Sequence, residues 1–210
     1  MFSKLLRPAQ YGHYVRLLFW RMLVPWRLRR IGVELASSAR FFGMPIVSMA
    51  KSSSIIIGER CVLTSDAKFS ALGVTHPIIM RTLRPHAVIT IGGDTGMSGT
   101  SICAAIKVSI GKRCLIGANV IIADTDFHPI SPTDRRYSGD DLVVAKPVVI
   151  EDNVFVGANS IVLKGVRIGR NSVVGAGSTV TRDIPPDSVA AGNPAHILRT
   201  ISPSLDPQRT

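Results

Sequence analysis

The chain has 210 residues, 46% of them apolar and only 6% aromatic. This excludes wholesale disorder and leaves room for one domain of ordinary size with an appended segment. The formal net charge of +11 is uneven: Lys4, Arg7, Arg16, Arg21, Arg27, Arg29, Arg30 and Arg40 face only Glu34 within residues 1–40, a local net of +7. Three cysteines, Cys61, Cys103 and Cys114, form no C-x-x-C pair. They read as small buried residues of a reducing compartment, not as a disulfide framework.

Residues 1–30 predict a basic amphipathic helix or two. Tyr11, Tyr14, Val15, Leu18, Phe19, Met22 and Leu23 recur at three and four, and Pro25 marks a break. Two readings of this segment stand. One is a cap over the open end of a repeat structure. The other is peripheral contact with an anionic membrane surface, with Phe19, Trp20 and Trp26 in the interface. The apolar run Leu17 to Trp26 is too short to span a bilayer and contains Arg21. No small-residue cleavage site follows it, so the expected location is cytoplasmic, at the inner face of the membrane on the second reading.

From Ile31 onward a weak six-residue rhythm begins, with Ile57-Gly58, Cys61 four places on, and Leu63. Residues 71–87 break it. It resumes at Ile91-Gly92, runs through Met97 and Cys103, slips by one to Ile110, and keeps step through Ile116 and Ile122. The sequence then changes to Ala123-Asp124-Thr125-Asp126-Phe127-His128-Pro129, and residues 129–147 predict an external polar loop, a length usually reserved for function. The rhythm is plainest at the end: Ile150, Val156, Val162, Ile168, Val174 and Val180 recur at six, and the slot four after each holds Val154, Ser160, Val166, Ser172, Ser178 and Ile184.

Helices repeat at about 3.6 residues and strands at 2, so a strict period of six describes short strands separated by turns. One such unit cannot hide its aliphatic residue alone. Stacked coils bury a continuous column, at about 1.5–3 kcal/mol for each Val or Ile removed from water. The predicted fold is therefore all-β, a parallel β-helical solenoid over residues 31–200 behind an N-terminal helical segment, with a frayed tail at 201–210.

One histidine lies where order gives way to excursion. Counting in sixes puts His128 on the inward ladder after Ile110, Ile116 and Ile122, where an unpaired imidazole is expensive to bury. The adjacent Pro129 and the loop argue instead that the chain leaves the coil and turns the ring into a cleft. Asp124 and Asp126 stand close enough in sequence to fix its tautomer or to hold a sugar; an Asx-type corner bond is the plainer role for either.

These residues, with Lys146-Pro147-Val148-Val149-Ile150, Gly165-Val166-Arg167-Ile168-Gly169, Gly175-Ala176-Gly177-Ser178 and Ala191-Gly192-Asn193-Pro194-Ala195, closely resemble the hexapeptide-repeat O-acetyltransferases over about residues 50–200. The resemblance implies a left-handed β-helix, a homotrimer with active sites between neighbouring subunits, acetyl-CoA as donor and a saccharide as acceptor. By position it gives His128 the role of general base, supported by Asp126 or Asp124. It places the acceptor at Ser98 or Thr100, where relatives often carry Asn, and at Arg135 and Tyr137 of the loop. Coenzyme A is expected along Gly157, Ala158, Ala176, Gly177, Thr181 and Arg182, with Asn193 and Pro194 near the adenine.

Other readings are N-acetylation of an amino sugar, and a non-catalytic scaffold docked through the basic N-terminus. A zinc hydratase of the γ-carbonic anhydrase kind needs three histidine ligands, and His13, His76, His86, His128 and His196 form no close pair, so no metal is expected. The positive charge lies on an apolar helix, which argues against nucleic-acid binding.

Overall fold

The computed structural model describes residues 8–130 and 135–201, without the side chains of 8–17 and 140. The expected fraying of the tail therefore falls outside the described residues beyond Ile201, as do the side chains of Tyr11, Tyr14 and Val15.

Among the described residues, short strands wind into six coils around three faces. Coil 1 is Glu34–Leu35, Arg40–Phe42 and Ile46–Ser48; coil 2 is Ser54–Ile57, Val62–Thr64 and Ile79–Thr82. Coil 3 is Val88–Ile91, Gly96–Ser98 and Ser101–Ala104; coil 4 is Lys107–Ile110, Leu115–Ile116 and Ile121–Ala123. Coil 5 is Val148–Ile150, Phe155–Val156 and Ile161–Val162; coil 6 is Arg167–Ile168, Val173–Val174 and Thr179–Val180. The first, second and third strands of successive coils pair in parallel, making three sheets. Ser188–Gly192 continues the second face, and Ala195–Thr200 turns back against it as an antiparallel strand.

The inward residues stack in register. Ile57, Ile91, Ile110, Ile150 and Ile168 form the column of the first face. Phe41, Leu63, Met97, Ile116, Val156, Val174 and Ala190 form that of the second. Met80, Ile102, Ile122, Val162 and Val180 form that of the third. None of the six residues predicted as a ladder from Ile150 to Val180 is more than 1% exposed.

Two details differ from the sequence reading. The inward residue of coil 3 is Ile102; Cys103 faces outward and is only partly buried, whereas Cys61 and Cys114 are enclosed. The six-residue spacing therefore shortens to five between Met97 and Ile102 and lengthens to eight between Ile102 and Ile110. The interruption in the N-terminal repeats is also shorter than 71–87: it runs from Ser65 to Ile78, carries a 3-10 turn at Ala67–Phe69, and ends where Ile79–Thr82 rejoins the third face.

The corners explain the glycines. The left-handed backbone falls on Arg60, Asp94, Arg113, Asn153, Asn171 and Asp187 at one edge, with φ between 54° and 62°, a region that Asn and Asp tolerate better than most residues. The glycine right after the inward residue serves close approach instead. A Cβ on Gly92 would lie 2.5 Å from the carbonyl carbon of Gly111 in the next coil.

The N-terminal segment is one helix, α1 (Pro8–Arg30), and it continues through Pro25. The expected break is absent because Val24 and Leu28, either side of the proline, are at most 2% exposed and belong to the core. Their burial offsets the one hydrogen bond that proline removes. Gly32 at φ +92° ends the helix, and Val33 N donates to Leu28 O at 3.0 Å.

The long excursion leaves coil 4 after Ala123 and is tied at its root. Lys146 N donates to Asp124 O at 2.8 Å, Asp126 N donates to Val144 O at 3.1 Å, and Thr125 bridges Ala145. The fully buried Asp124 carboxylate accepts from the backbone N–H groups of Ala105 (2.6 Å), Ile106 (2.7 Å) and Lys107 (2.7 Å) at the corner between coils 3 and 4.

Two outcomes follow for stability. Ile150→Ala should lower unfolding free energy by about 2–5 kcal/mol, read as a reduced urea midpoint at unchanged slope. Asp124→Ala orphans three corner N–H groups and should cost at least about 1–3 kcal/mol; a melting temperature within about a degree of wild type would contradict this clamp.

Candidate functional site

The third–first edge of the prism carries the excursion. His128 sits there outside the column of inward side chains and is exposed to solvent, its backbone N–H donating to the backbone carbonyl of Asp126 at 2.7 Å. Its neighbour Phe127 adopts φ +62° and is nearly half exposed. The turn that throws the ring outward is thus made by residues 126–129, and Pro129 is buried behind it.

The two aspartates separate. Asp124 is committed to the corner of residues 105–107 with both oxygens, so the role of partner to the imidazole does not fall to it. Asp126 is available differently. One carboxylate oxygen meets Lys164 Nζ at 2.6 Å, with side chains 19% and 23% exposed. The other oxygen is buried with no hydrogen-bond partner among the described residues. A buried carboxylate oxygen with no donor is costly unless one is supplied. Lys164 comes from the corner after coil 5, one layer along the same edge, and its contact with position 126 spans thirty-eight residues. No short-range pattern in the sequence points to it.

Arg135, Arg136 and Tyr137 lie on the outer part of the excursion and are exposed. Arg135 folds back, donating Nη2 to Ile130 O at 2.6 Å, and the Arg136 guanidinium lies 5.9 Å from the Tyr137 ring centre. The excursion reaches up the prism, where Arg84 Nη2 donates to Val143 O at 3.0 Å. Ser98 faces outward at the end of the second face, on another edge from His128. Thr100 is completely buried in the corner with its hydroxyl toward Ser98 O, so the acceptor contact expected of it falls away.

The expected coenzyme residues divide between two edges. Ala158, Ala176 and Gly177 are stacked along the second–third edge, where Gly177 N donates to Ala158 O at 2.8 Å. Gly192 N donates to Ser178 Oγ at 3.1 Å just before Asn193 and Pro194, which places that exposed turn on the next layer. Gly177 faces open space, with nothing within 4 Å of where a Cβ would stand. Gly157 differs: it is buried and pressed against Ala176 N of the following coil, so its lack of a side chain serves stacking. Thr181 and Arg182 lie on the third–first edge just past coil 6, exposed, on the same side as His128.

Between the two edges the third face presents Ser101, Cys103, Ile121, Ile161 and Thr179 outward. Burial pushes the Cys103 thiol up in pKa, against the opposing pull of Arg81, so it stays a neutral thiol near pH 7.

The family described as hexapeptide repeat of succinyl-transferase matches residues 107–126 and 147–182, the coils on either side of the excursion. A galactoside O-acetyltransferase of Lactococcus lactis is 42% identical over 130 residues, 58% of this chain and 61% of that protein. A 2,3,4,5-tetrahydropyridine-2,6-dicarboxylate N-acetyltransferase of Halalkalibacterium halodurans is 41% identical over 95 residues, 45% of this chain and 34% of that protein. The chain thus spans between about a third and three fifths of the length of these relatives. A solved galactoside acetyltransferase in complex with coenzyme A superposes with a TM-score of 0.55 at 25% identity, covering 96% of this chain and 86% of its own. The chain is accordingly similar in sequence and fold to the hexapeptide-repeat acetyltransferases, and its stacked three-faced parallel coils are those of the left-handed β-helix.

Proposed function

We propose that the protein is an acetyl-CoA-dependent O-acetyltransferase that modifies a saccharide hydroxyl, in the assembly of a surface polysaccharide or lipid-linked glycan. The observation that carries this reading is the single interruption of the C-terminal coils. It puts His128 outside the core, beside Asp126, whose second oxygen has no partner among the described residues. His128 takes the proton of the acceptor hydroxyl as the oxygen attacks the thioester carbonyl, the carbon–sulfur bond breaks, and the proton passes to the departing thiolate. Both substrates bind together, so no acyl-enzyme forms.

Acetyl-CoA supplies the activated acyl group, and the residues present suit it. The open backbone at Gly177 and the small Ala158 and Ala176 would let a pantetheine chain lie flat along the second–third edge, and exposed Arg182 suits a phosphate. Because Ser98 and the small-residue edge stand on different sides of the prism from His128, a complete site needs a neighbouring subunit. A homotrimer is the arrangement proposed. Outward apolar residues on the second and third faces, Leu115, Phe155, Ile46 and Ile121, are each at least 41% exposed and support such packing.

Asp126 is read as the positioning residue for the acceptor or the imidazole, held in turn by Lys164. Acetylation of an amine on an amino sugar is the second reading, favoured by the likeness to an N-acetyltransferase. The basic segment 1–30 suits work at the cytoplasmic face of an anionic membrane. No helix among the described residues is long and apolar enough to cross one.

Thiol release from acetyl-CoA over a panel of neutral, acidic and amino sugars tests the activity and sorts the two readings. His128→Ala should lose about 10²–10⁴ in kcat with its melting temperature unchanged, and full activity in that variant would refute the assignment. Lys164→Met should lower kcat/KM by roughly tenfold, with Lys164→Arg restoring most of it. Equal loss in both variants would make Lys164 a packing residue only.

A further inference from the structure

At the N-terminal end of the prism, far along the axis from coil 6, α1 does two things with two sides. Val24 and Leu28 close the core. The adjoining side, Arg21, Met22, Pro25, Trp26, Arg29 and Arg30, stands away from the first corner of coil 1 and leaves a groove of about 690 Å³ whose other wall is Ser37, Ser38, Ala39 and Arg40. Four arginines line it, and no carboxylate does. Glu34 is the only acid in residues 1–58, and among the described residues none of the four arginines is in a salt bridge.

The groove is partly ordered for a ligand. The Arg30 guanidinium lies over the Trp26 ring at 5.0 Å, and Arg29 Nη2 is held by Leu35 O at 3.2 Å. Stacking and a backbone bond each reduce the rotamer freedom that a guanidinium loses on binding. Ser37 adds an exposed hydroxyl. Leu18, Met22 and Trp26, at spacings of four, are all more than half exposed and run from the groove along one stripe of the helix. Like charges gathered without a counter-charge favour an anion, and guanidinium forks match phosphate oxygens in pairs. An apolar track leading away from them suits a hydrocarbon chain on that phosphate.

We infer that this groove binds a phosphate or diphosphate group carried on a hydrocarbon chain. This goes beyond the surface contact proposed for residues 1–30: that contact needs only net charge, whereas this one needs these four arginines around this cavity. It is also independent of acetyl transfer. The ligand chemistry is common to a phospholipid headgroup in a bilayer and to a soluble prenyl phosphate.

The test uses the full chain, with farnesyl diphosphate, inorganic pyrophosphate and farnesol in calorimetry. Phosphatidylcholine vesicles with and without phosphatidic acid are used in co-sedimentation. Farnesyl diphosphate should bind more tightly than pyrophosphate, and farnesol should not bind measurably. Arg29→Gln with Arg30→Gln should weaken phosphate binding by about fivefold per arginine. Trp26→Ala should weaken farnesyl diphosphate but not pyrophosphate, and Arg167→Gln with Arg170→Gln, at the far end of the prism, should change neither. Binding of the soluble probe assigns the site to a free phosphate ester. Binding of phosphatidic-acid vesicles alone, lost in the same groove variants, assigns it to a headgroup. The inference is overturned if no phosphate probe binds, if groove and control variants bind like wild type, or if light scattering shows that the groove variants alter only the assembly mass, which would make the groove a contact between copies. Acetyl transfer to a soluble sugar, unchanged in the groove variants, separates failure of this site from failure of the enzymatic reading.

Discussion

The structure depends on one contact repeated: an inward Ile or Val lying on the inward residue of the next coil. A coil has no interior of its own, so each aliphatic side chain is dry only because another coil lies above or below it. Every other feature answers to that stacking. The glycines after the inward residues exist because the next backbone passes within van der Waals contact of where a Cβ would stand. The Asn and Asp residues at the corners exist because a triangular coil must turn through left-handed backbone. The ends of the column need covers, and α1 supplies one with Val24 and Leu28.

The same constraint explains how a long excursion is tolerated. Between Ala123 and Val148 the chain leaves the column, but the coil before and the coil after still pair directly, Ile110 on Ile150 and Ile122 on Val162. Nothing in the core registers the inserted residues. What the excursion requires is a fixed root, and Asp124 supplies it by gathering three backbone N–H groups at a neighbouring corner. A rigid root suits the role proposed for His128, since a displacement of about 1 Å in a catalytic group is enough to lose much of its effect.

Sequence pattern recovers most of this. The solenoid, the prism column from Ile150 to Val180, the excursion and the outward turn at His128 are all legible, because each is written in local spacing. The errors are local too. Carrying the six-residue rhythm on from Met97 puts Cys103 inward, whereas the coil takes a five-residue step and puts Ile102 there. Pro25 predicts a break because propensity counts the lost hydrogen bond and not the burial of Val24 and Leu28 on either side.

What the sequence determined by itself is the period, and with it the fold, since a column of branched side chains at a spacing of six can be buried in essentially one way. What only the tertiary structure decided is which neighbouring groups meet. Asp124 and Asp126 are two residues apart and look alike in the sequence, yet one is consumed by backbone at positions 105–107 and the other is joined to Lys164. Thr100 and Ser98 look alike as well, and only one faces outward. Pairings of this kind join residues that stacking brings together from different coils, and the physical reason they cannot be read in sequence is that the distance along the chain between coils is set by insertions, which the column itself ignores.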